Sequence, residues 1–317
     1  MIAPLRVLVT GAFGNIGSST VPLLLEHGHR VRALVHVNRQ PELCARFSGA
    51  ELMHGDVRDR VAMDRAVNEV DVVVHLAYVI PPRAWQEPEL AESTNVRGTQ
   101  NLLDAARAAP TPPRFLFAST LDVYGRTTHL APPRRVTDPV EATDNYSAHK
   151  IDCEQRVRES GLTWSIFRLA DVPPIALRHP VPAMFKIPLE TRIETLHPRD
   201  AGLALANGVP SPGVWGRTLN IGGGPRCQLT YREYLGQFLQ AMGVGALPDE
   251  AFSKEPYCTD WLDTEESQRL LGYQRSSFAD IVRETAALLR WKAPLARLAG
   301  PLVRRQILSL SPHWRGR

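Results

Sequence analysis

The sequence predicts an α/β fold: a doubly wound parallel sheet carrying a smaller, partly discontinuous C-terminal cap for the substrate. Three observations carry this. Short β-branched runs alternate with helical patterns through the first half of the chain, the pattern of a parallel sheet with crossover helices. Three glycines, Gly11, Gly14 and Gly17, fall between the first strand pattern and the first helix pattern. The texture changes after Arg168, where Pro173, Pro174, Pro180, Pro182 and Pro188 make residues 171–191 irregular.

Taken in order, strands are expected at Arg6–Val9, Arg30–Val35, Glu51–His54, Val72–Leu76 and Arg114–Ala118. Between them, apolar residues recur at helical spacing over Ile16–His27, Val61–Glu69 and Glu89–Ala109. A further helix starts near Tyr146, followed by a strand at Thr163–Arg168. A helix near Pro198–Asn207 and a strand near Thr218–Ile221 return to the sheet, and residues 228–290 read as helical, ending near Trp291. The expected division is residues 1–170 as the dinucleotide domain, with 192–226 returning to it, and 171–191 with 227–317 as the substrate cap.

With 317 residues the chain can bury a large core, and its 44% hydrophobic and 22% charged content is that of a folded protein. The net charge of +4 is concentrated in residues 291–317, where Lys292, Arg297, Arg304, Arg305, Arg315 and Arg317 meet no acid. The rest is near neutral and has no basic stripe with interleaved aromatics, so no nucleic-acid partner is expected. The mixed apolar and basic stretch Leu295–Leu310 reads as a C-terminal helix packed on its own domain. Four scattered cysteines do not make a disulfide framework or a zinc site, and no histidine pair has ligand spacing with a supporting acid, so no metal is expected. The N-terminus lacks a signal pattern, and no apolar run approaches the ~18 residues of a membrane span. A cytoplasmic location follows as the expectation.

Two motifs carry chemistry. In Gly11-Ala12-Phe13-Gly14-Asn15-Ile16-Gly17 the glycines permit a tight turn and let backbone amides approach a pyrophosphate, which then sits at the positive end of the next helix. This makes the sheet Rossmann-type, although the spacing is G-x-x-G-x-x-G. In Tyr146-Ser147-Ala148-His149-Lys150, residues four apart share a helix face, so phenol and ammonium project into one cleft. A neighbouring cation is expected to lower the tyrosine pKa towards the range useful for general acid–base catalysis.

With these two motifs at this separation, the chain resembles the extended short-chain dehydrogenase/reductases, the NAD-dependent epimerase/dehydratase group. Further stretches fit in order: His54-Gly55-Asp56-Val57-Arg58-Asp59, His75-Leu76-Ala77, Asn95-Val96-Arg97-Gly98-Thr99, Ser119-Thr120-Leu121-Asp122-Val123-Tyr124-Gly125, Arg168-Leu169-Ala170-Asp171-Val172 and His197-Pro198-Arg199-Asp200. The likeness covers residues 5 to about 290. It implies that Tyr146 exchanges the proton, Thr120 hydrogen-bonds the reacting oxygen, and Lys150 binds the nicotinamide ribose and tunes Tyr146. Asp56 and Val57 would meet the adenine. Leu76, Ala77 and Tyr78 would line the cofactor, with Phe13, Asn15, Ile16, Asn95, Leu169 and Val172 around it. Tyr78, Asp122 and Asp171 join Thr120 as expected substrate contacts. Relatives often pair through the helices that here are Glu89–Ala109 and Tyr146–Glu159, so a homodimer is implied.

Three departures narrow the reading. The dehydratases of the group carry an acidic pair after the catalytic Thr, but here those positions are Leu121 and Asp122, which disfavours dehydration. The Asn that helps nucleotide-sugar enzymes hold a diphosphate is Asp171. Like charges about 4 Å apart repel by ~4 kcal/mol at an effective dielectric of 20, so a less charged carbonyl compound or its alcohol is the expected substrate. The apolar stretch Tyr78-Val79-Ile80-Pro81-Pro82 agrees. Finally, no acid stands between His27 and Pro41 to bind a ribose 2′-hydroxyl, while His36 and Arg39 are present, so NADP is preferred over NAD. The expectation is an NAD(P)-dependent oxidoreductase. A nucleotide-sugar epimerase with retained NAD is the alternative, and a non-catalytic dinucleotide-binding sensor the remote one.

Overall fold

The computed structural model describes residues 3–36, 41–177, 179–289 and 299–315. Its main sheet has seven parallel strands: β1 (Arg6–Thr10), β2 (Arg30–Val35), β3 (Glu51–His54), β4 (Val72–His75), β5 (Arg114–Thr120), β6 (Trp164–Leu169) and β8 (Arg217–Ile221). Their order is β3-β2-β1-β4-β5-β6-β8, so the winding reverses between β1 and β4. The mouth of a doubly wound sheet opens at such a reversal.

Strand side chains alternate between two cores because the pleat has a period of two. Val7, Val9, Val72, Val74 and Leu116 join one core, while Leu8, Val73, Phe115 and Phe117 join the other. Both faces are buried, which explains why these strands read as unbroken apolar runs. The first face is covered by α1 (Gly17–Glu26), α8 (Pro198–Gly208) and α10 (Glu265–Leu271). The second is covered by α3 (Arg60–Ala66), α6 (Gly98–Ala108) and α7 (Asn145–Glu159).

One break in regularity lies just beyond the glycine turn. Pro22 sits inside α1 and has no N–H for the carbonyl of Ser18. Arg46, at the end of α2 (Pro41–Arg46), donates its guanidinium to that carbonyl at 3.2 Å.

The sequence reading differs from the structure at three places. The segment read as one helix over Glu89–Ala109 is α5 (Pro88–Glu92), a π-helical turn at Ser93–Arg97, then α6. The region read as helical from residue 228 opens with β9 (Gln228–Thr230), which pairs antiparallel with β7 (Arg192–Glu194) in a sheet of its own. Strands of three residues are too short to show a period. The helices beyond are α9 (Tyr231–Ala241), α10 and α11 (Phe278–Ala287), with residues 242–264 largely irregular. The last helix, Gly300–Leu308, packs Ile307 and Leu308 into a separate core with Phe185, Ile193, Tyr231, Leu239 and Phe252. Trp291, with the rest of 290–298, lies outside the described residues. No helix among them is long and apolar enough to cross a membrane.

Candidate active site

The mouth is stitched at its centre by Thr10. Its hydroxyl accepts the amides of Leu76 and Ala77 at 3.1 Å and meets His75 Nδ1 at 2.8 Å, joining the ends of β1 and β4. Gly11 turns at φ 66°, and a Cβ there would lie 2.8 Å from the Ala77 backbone. A Cβ on Gly17 would lie 2.4 Å from the Gly11 carbonyl. Packing therefore demands glycine at both positions. Gly14 is different: among the described residues its Cβ would meet only the Gly11 carbonyl, at 3.1 Å. Among the described residues nothing else comes within 4 Å of that position, as close approach of a pyrophosphate to the backbone requires. The residues present thus fit a dinucleotide. Asn15 Nδ2 donates to the Val172 carbonyl at 2.8 Å, tying the turn to the exit of β6, where Leu169 is buried. Phe13 packs against Phe47, and Ile16 lies partly buried on the core.

At the other side of β1 the carboxylate of Asp56 takes Arg58 Nη2 at 2.6 Å and His36 Nε2 at 3.2 Å. Hydrogen bonding from Arg58 holds the carboxyl down at about 2. Val57 beside it is buried. Arg32 is turned away, bonded to Glu51 and to the carbonyls of Ala66 and Asn68. Arg39 lies outside the described residues.

The helix with the tyrosine is launched by a reciprocal cap. Asp144 Oδ1 accepts the Ser147 amide at 2.8 Å, and Ser147 Oγ accepts the Asp144 amide at 3.1 Å. This sets Tyr146 and Lys150, 9% and 4% exposed, against the end of β5. The Tyr146 phenol hydrogen-bonds Thr120, the last residue of that strand. Lys150 Nζ donates to the Ala118 carbonyl at 2.6 Å and stands 3.5 Å above the Tyr78 ring. Tyr78 in turn meets Tyr146 edge-on, with ring centroids 5.9 Å apart. All three expected catalytic side chains thus converge.

Their electrostatics correct one expectation. Burial, followed by the Asp122 charge, pushes the Tyr146 phenol well above its ordinary value, although a neighbouring cation was expected to lower it. Lys150 Nζ lies 6.0 Å from the Tyr146 ring, and burial drives its own pKa down to about 7. Asp122 rises to about 7, through burial first and then Asp144 and Asp171. Two groups that titrate near neutrality therefore flank a neutral phenol.

Asp171 is pinned by its backbone, donating to the Glu194 carbonyl at 3.1 Å and accepting from the Leu196 amide at 2.7 Å. Its charge is felt at Asp122 and Tyr146. Asn95 is fully buried, with its amide oxygen accepting from Val79 N at 2.7 Å and its nitrogen donating to Val79 O at 2.9 Å. It braces the loop after Tyr78.

Comparison with known proteins agrees with this geometry. Residues 7–172 match the NAD dependent epimerase/dehydratase family. A dTDP-glucose 4,6-dehydratase from Streptomyces antibioticus is 30% identical, covering 94% of this chain and 97% of that protein. The chain belongs to the NAD-dependent epimerase/dehydratase family. Over a shorter span, 37% of this chain and 32% of the relative, a 3 beta-hydroxysteroid dehydrogenase/isomerase from Mycobacterium tuberculosis is 33% identical. The solved dTDP-glucose 4,6-dehydratase of Streptomyces venezuelae, with NAD bound, superposes with a TM-score of 0.77 at 27% identity, over 92% of this chain and 98% of its own. The UDP-glucose 4-epimerase of Thermotoga maritima shares the fold, with a TM-score of 0.74 at 21% identity over 91% and 99%.

Within this family member, sequence reasoning missed the support beneath the catalytic helix. Glu154 is buried and bonded to Arg168 at 2.8 Å, Arg158 at 2.7 Å and Ser119 at 2.6 Å, which locks α7 to β5 and β6. His75 bridges Thr10 and Thr99 and is pushed down to about 3 by burial, so it stays neutral. The residue types were visible, but only the register of β5 and β6 brings Ser119 beside Arg168.

Proposed function

We propose that the protein is an NAD(P)-dependent oxidoreductase acting on the carbonyl or alcohol carbon of a small, weakly charged substrate. The observation that carries this is the convergence of Thr120, Tyr146 and Lys150 at the mouth that also holds the open glycine turn. The turn with Asn15, Asp56, Val57, Leu76 and Ala77 would hold the dinucleotide, whose nicotinamide gives or accepts hydride when bound. In the reducing direction Thr120 and Tyr146 donate hydrogen bonds to the carbonyl oxygen. Tyr146 then delivers its proton, and Lys150 stabilises the phenolate left behind. Below about pH 7 Asp122 is mostly protonated, which keeps a second negative charge from opposing that phenolate.

One feature supports the substrate class: Ile80 and Trp85, 58% and 38% exposed, give the rim an apolar surface. The cap is proposed as residues 171–191 and 227–317, and a homodimer through α5, α6 and α7 remains part of the proposal. The preference for NADP rests on the missing acid after β2 and on His36, and the solved relative's NAD stands against it. The likeness along nearly the full chain to a dTDP-glucose dehydratase favours a second reading, a nucleotide-sugar epimerase with retained cofactor.

One screen separates them. Thermal shift and NAD(P)H absorbance are followed with UDP-, GDP- and dTDP-sugars beside neutral ketones. Ketone-dependent net consumption of NAD(P)H is expected. Micromolar binding of a nucleotide sugar, displaced by free nucleoside diphosphate and without net consumption, overturns the first reading in favour of the second.

A further inference from the structure

Lys150 brings an amine into a buried place, where the charged form is disfavoured. Its Nζ donates to a neutral acceptor, the Ala118 carbonyl, at 2.6 Å. Two aromatic rings stand beside it, Tyr78 with its centroid 3.5 Å from Nζ and Phe117 with its centroid at 4.8 Å. The face of an aromatic ring carries the negative part of its quadrupole, so it favours an ammonium over a neutral amine.

The Tyr78 ring is fixed from two sides. Its phenol donates to Cys153 Sγ at 3.6 Å, and that thiol donates to the Asn95 carbonyl at 3.3 Å. The Asn95 side chain in turn holds both backbone groups of Val79, the residue that follows Tyr78. The Tyr78 and Tyr146 rings meet at 82°, with centroids 5.9 Å apart. One fixed ring therefore lies against both members of the tyrosine–lysine pair.

We infer that Tyr78, together with Phe117, forms an aromatic bracket that keeps Lys150 an ammonium beside Tyr146, which makes Tyr78 a positioning residue acting through Lys150. The inference rests on the reading of Thr120, Tyr146 and Lys150 as the reacting set. In the reducing direction the ammonium stabilises the phenolate, so a lysine that loses its proton too early stops turnover. The other titratable groups facing Lys150 are His75 at the end of β4, Asp122 after β5, and Tyr146, Cys153 and Glu154 on α7. His75 stays neutral, and Glu154 is already bonded to Arg168 and Arg158. Burial keeps the Tyr78 phenol neutral as well, so its ring acts on Lys150 in the same way across the working pH range.

The test reads Lys150 directly. The chain has four lysines, Lys150, Lys186, Lys254 and Lys292, so lysine labelled with carbon-13 at Cε gives a simple spectrum. The Lys150 signal is assigned by its loss in Lys150→Met. In the native protein its ε-methylene is expected upfield of a free lysine's, displaced by the Tyr78 ring current, and to titrate near pH 7. Tyr78→Leu is expected to return the signal downfield and to lower the midpoint by about half to one pH unit, or about three- to tenfold in proton affinity. Tyr78→Phe keeps the ring and should keep both the displacement and the midpoint. Absence of the upfield displacement in the native protein overturns the bracket without any variant. A midpoint that stays or rises in folded Tyr78→Leu overturns its hold on the charge. In ketone reduction the alkaline limb of kcat should move down with the midpoint in Tyr78→Leu and stay in place in Tyr78→Phe. A loss of kcat uniform across pH marks a merely structural ring and overturns the positioning role. A protein that turns over no ketone at all sinks the oxidoreductase reading, and the lysine spectrum still decides the bracket.

Discussion

Asp56 at the proposed adenosine end and Asp122 at the catalytic end are the same side chain held in opposite ways. Asp56 is partly exposed and gripped by Arg58 and His36, which holds its carboxyl at about 2. Asp122 is enclosed with two other carboxylates acting on it and rises to about 7. Neither value is a property of aspartate. The first follows from hydrogen bonds to the charged form, the second from removing that form from water. One end of the mouth is therefore a fixed charge suited to binding, and the other a titratable cluster suited to moving protons.

The largest effect should come from emptying the catalytic end of its proton. Tyr146→Phe is expected to lower turnover by ~10²–10⁴-fold, while NAD(P)H affinity, read by fluorescence titration, stays within error. Near-normal turnover would remove Tyr146 from the chemistry and leave the two ends without distinct roles.

A smaller effect concerns stability against pH. Because the folded pKa of Asp122 lies above its ordinary 3.8, its contribution is fully present below that value and is lost as pH rises through about 7. By the general conversion of ~1.4 kcal/mol per pKa unit the loss is at most about 4 kcal/mol. His75, lowered to about 3 by burial, opposes this slope up to about pH 6.5, so the readout is the difference between the two proteins: in denaturant unfolding the stability of Asp122→Asn relative to the native protein should rise between pH 4.5 and 7.5. Glu194, also raised to about 7 by burial, keeps part of the slope in both proteins. Asp56 runs the other way, its contribution holding above 3.8 and fading only as pH falls through about 2. Identical slopes with and without Asp122→Asn would dissolve the contrast.

The smallest effect is at the adenosine end. His36→Ala removes an exposed partner, and exposed ion pairs contribute ~0–1 kcal/mol. NADPH affinity should fall by no more than about fivefold, with NADH affinity unmoved. An equal loss for both cofactors would detach His36 from the 2′ position.

How much of this was written in the chain varies with the kind of interaction. All seven strands of the main sheet were legible to within about two residues, the inner ones because strands buried on both faces must be apolar along their length, the edge strand β3 in spite of its exposure. The pair β7 and β9 was not, since three residues cannot display a period and their partner lies far along the chain. The glycine turn and Tyr146–Lys150 were legible because each is local, a turn or one face of a helix. The charge states were not. Spacing placed a cation near the phenol and suggested a lowered pKa, but burial, which no spacing records, reversed the sign. Asp122 depends on its burial and then on Asp144 and Asp171, which the fold brings to it.

Pro22 and Arg46 carry an evolutionary consequence. Proline leaves α1 one rung short beside the turn, and a guanidinium from the next helix serves as the missing donor. The two positions are thus expected to drift together through descent. A lineage that replaces Pro22 with a residue bearing an amide releases Arg46 to change, and one that loses Arg46 first exposes the Ser18 carbonyl. The order of replacement is constrained although neither side chain takes part in the chemistry.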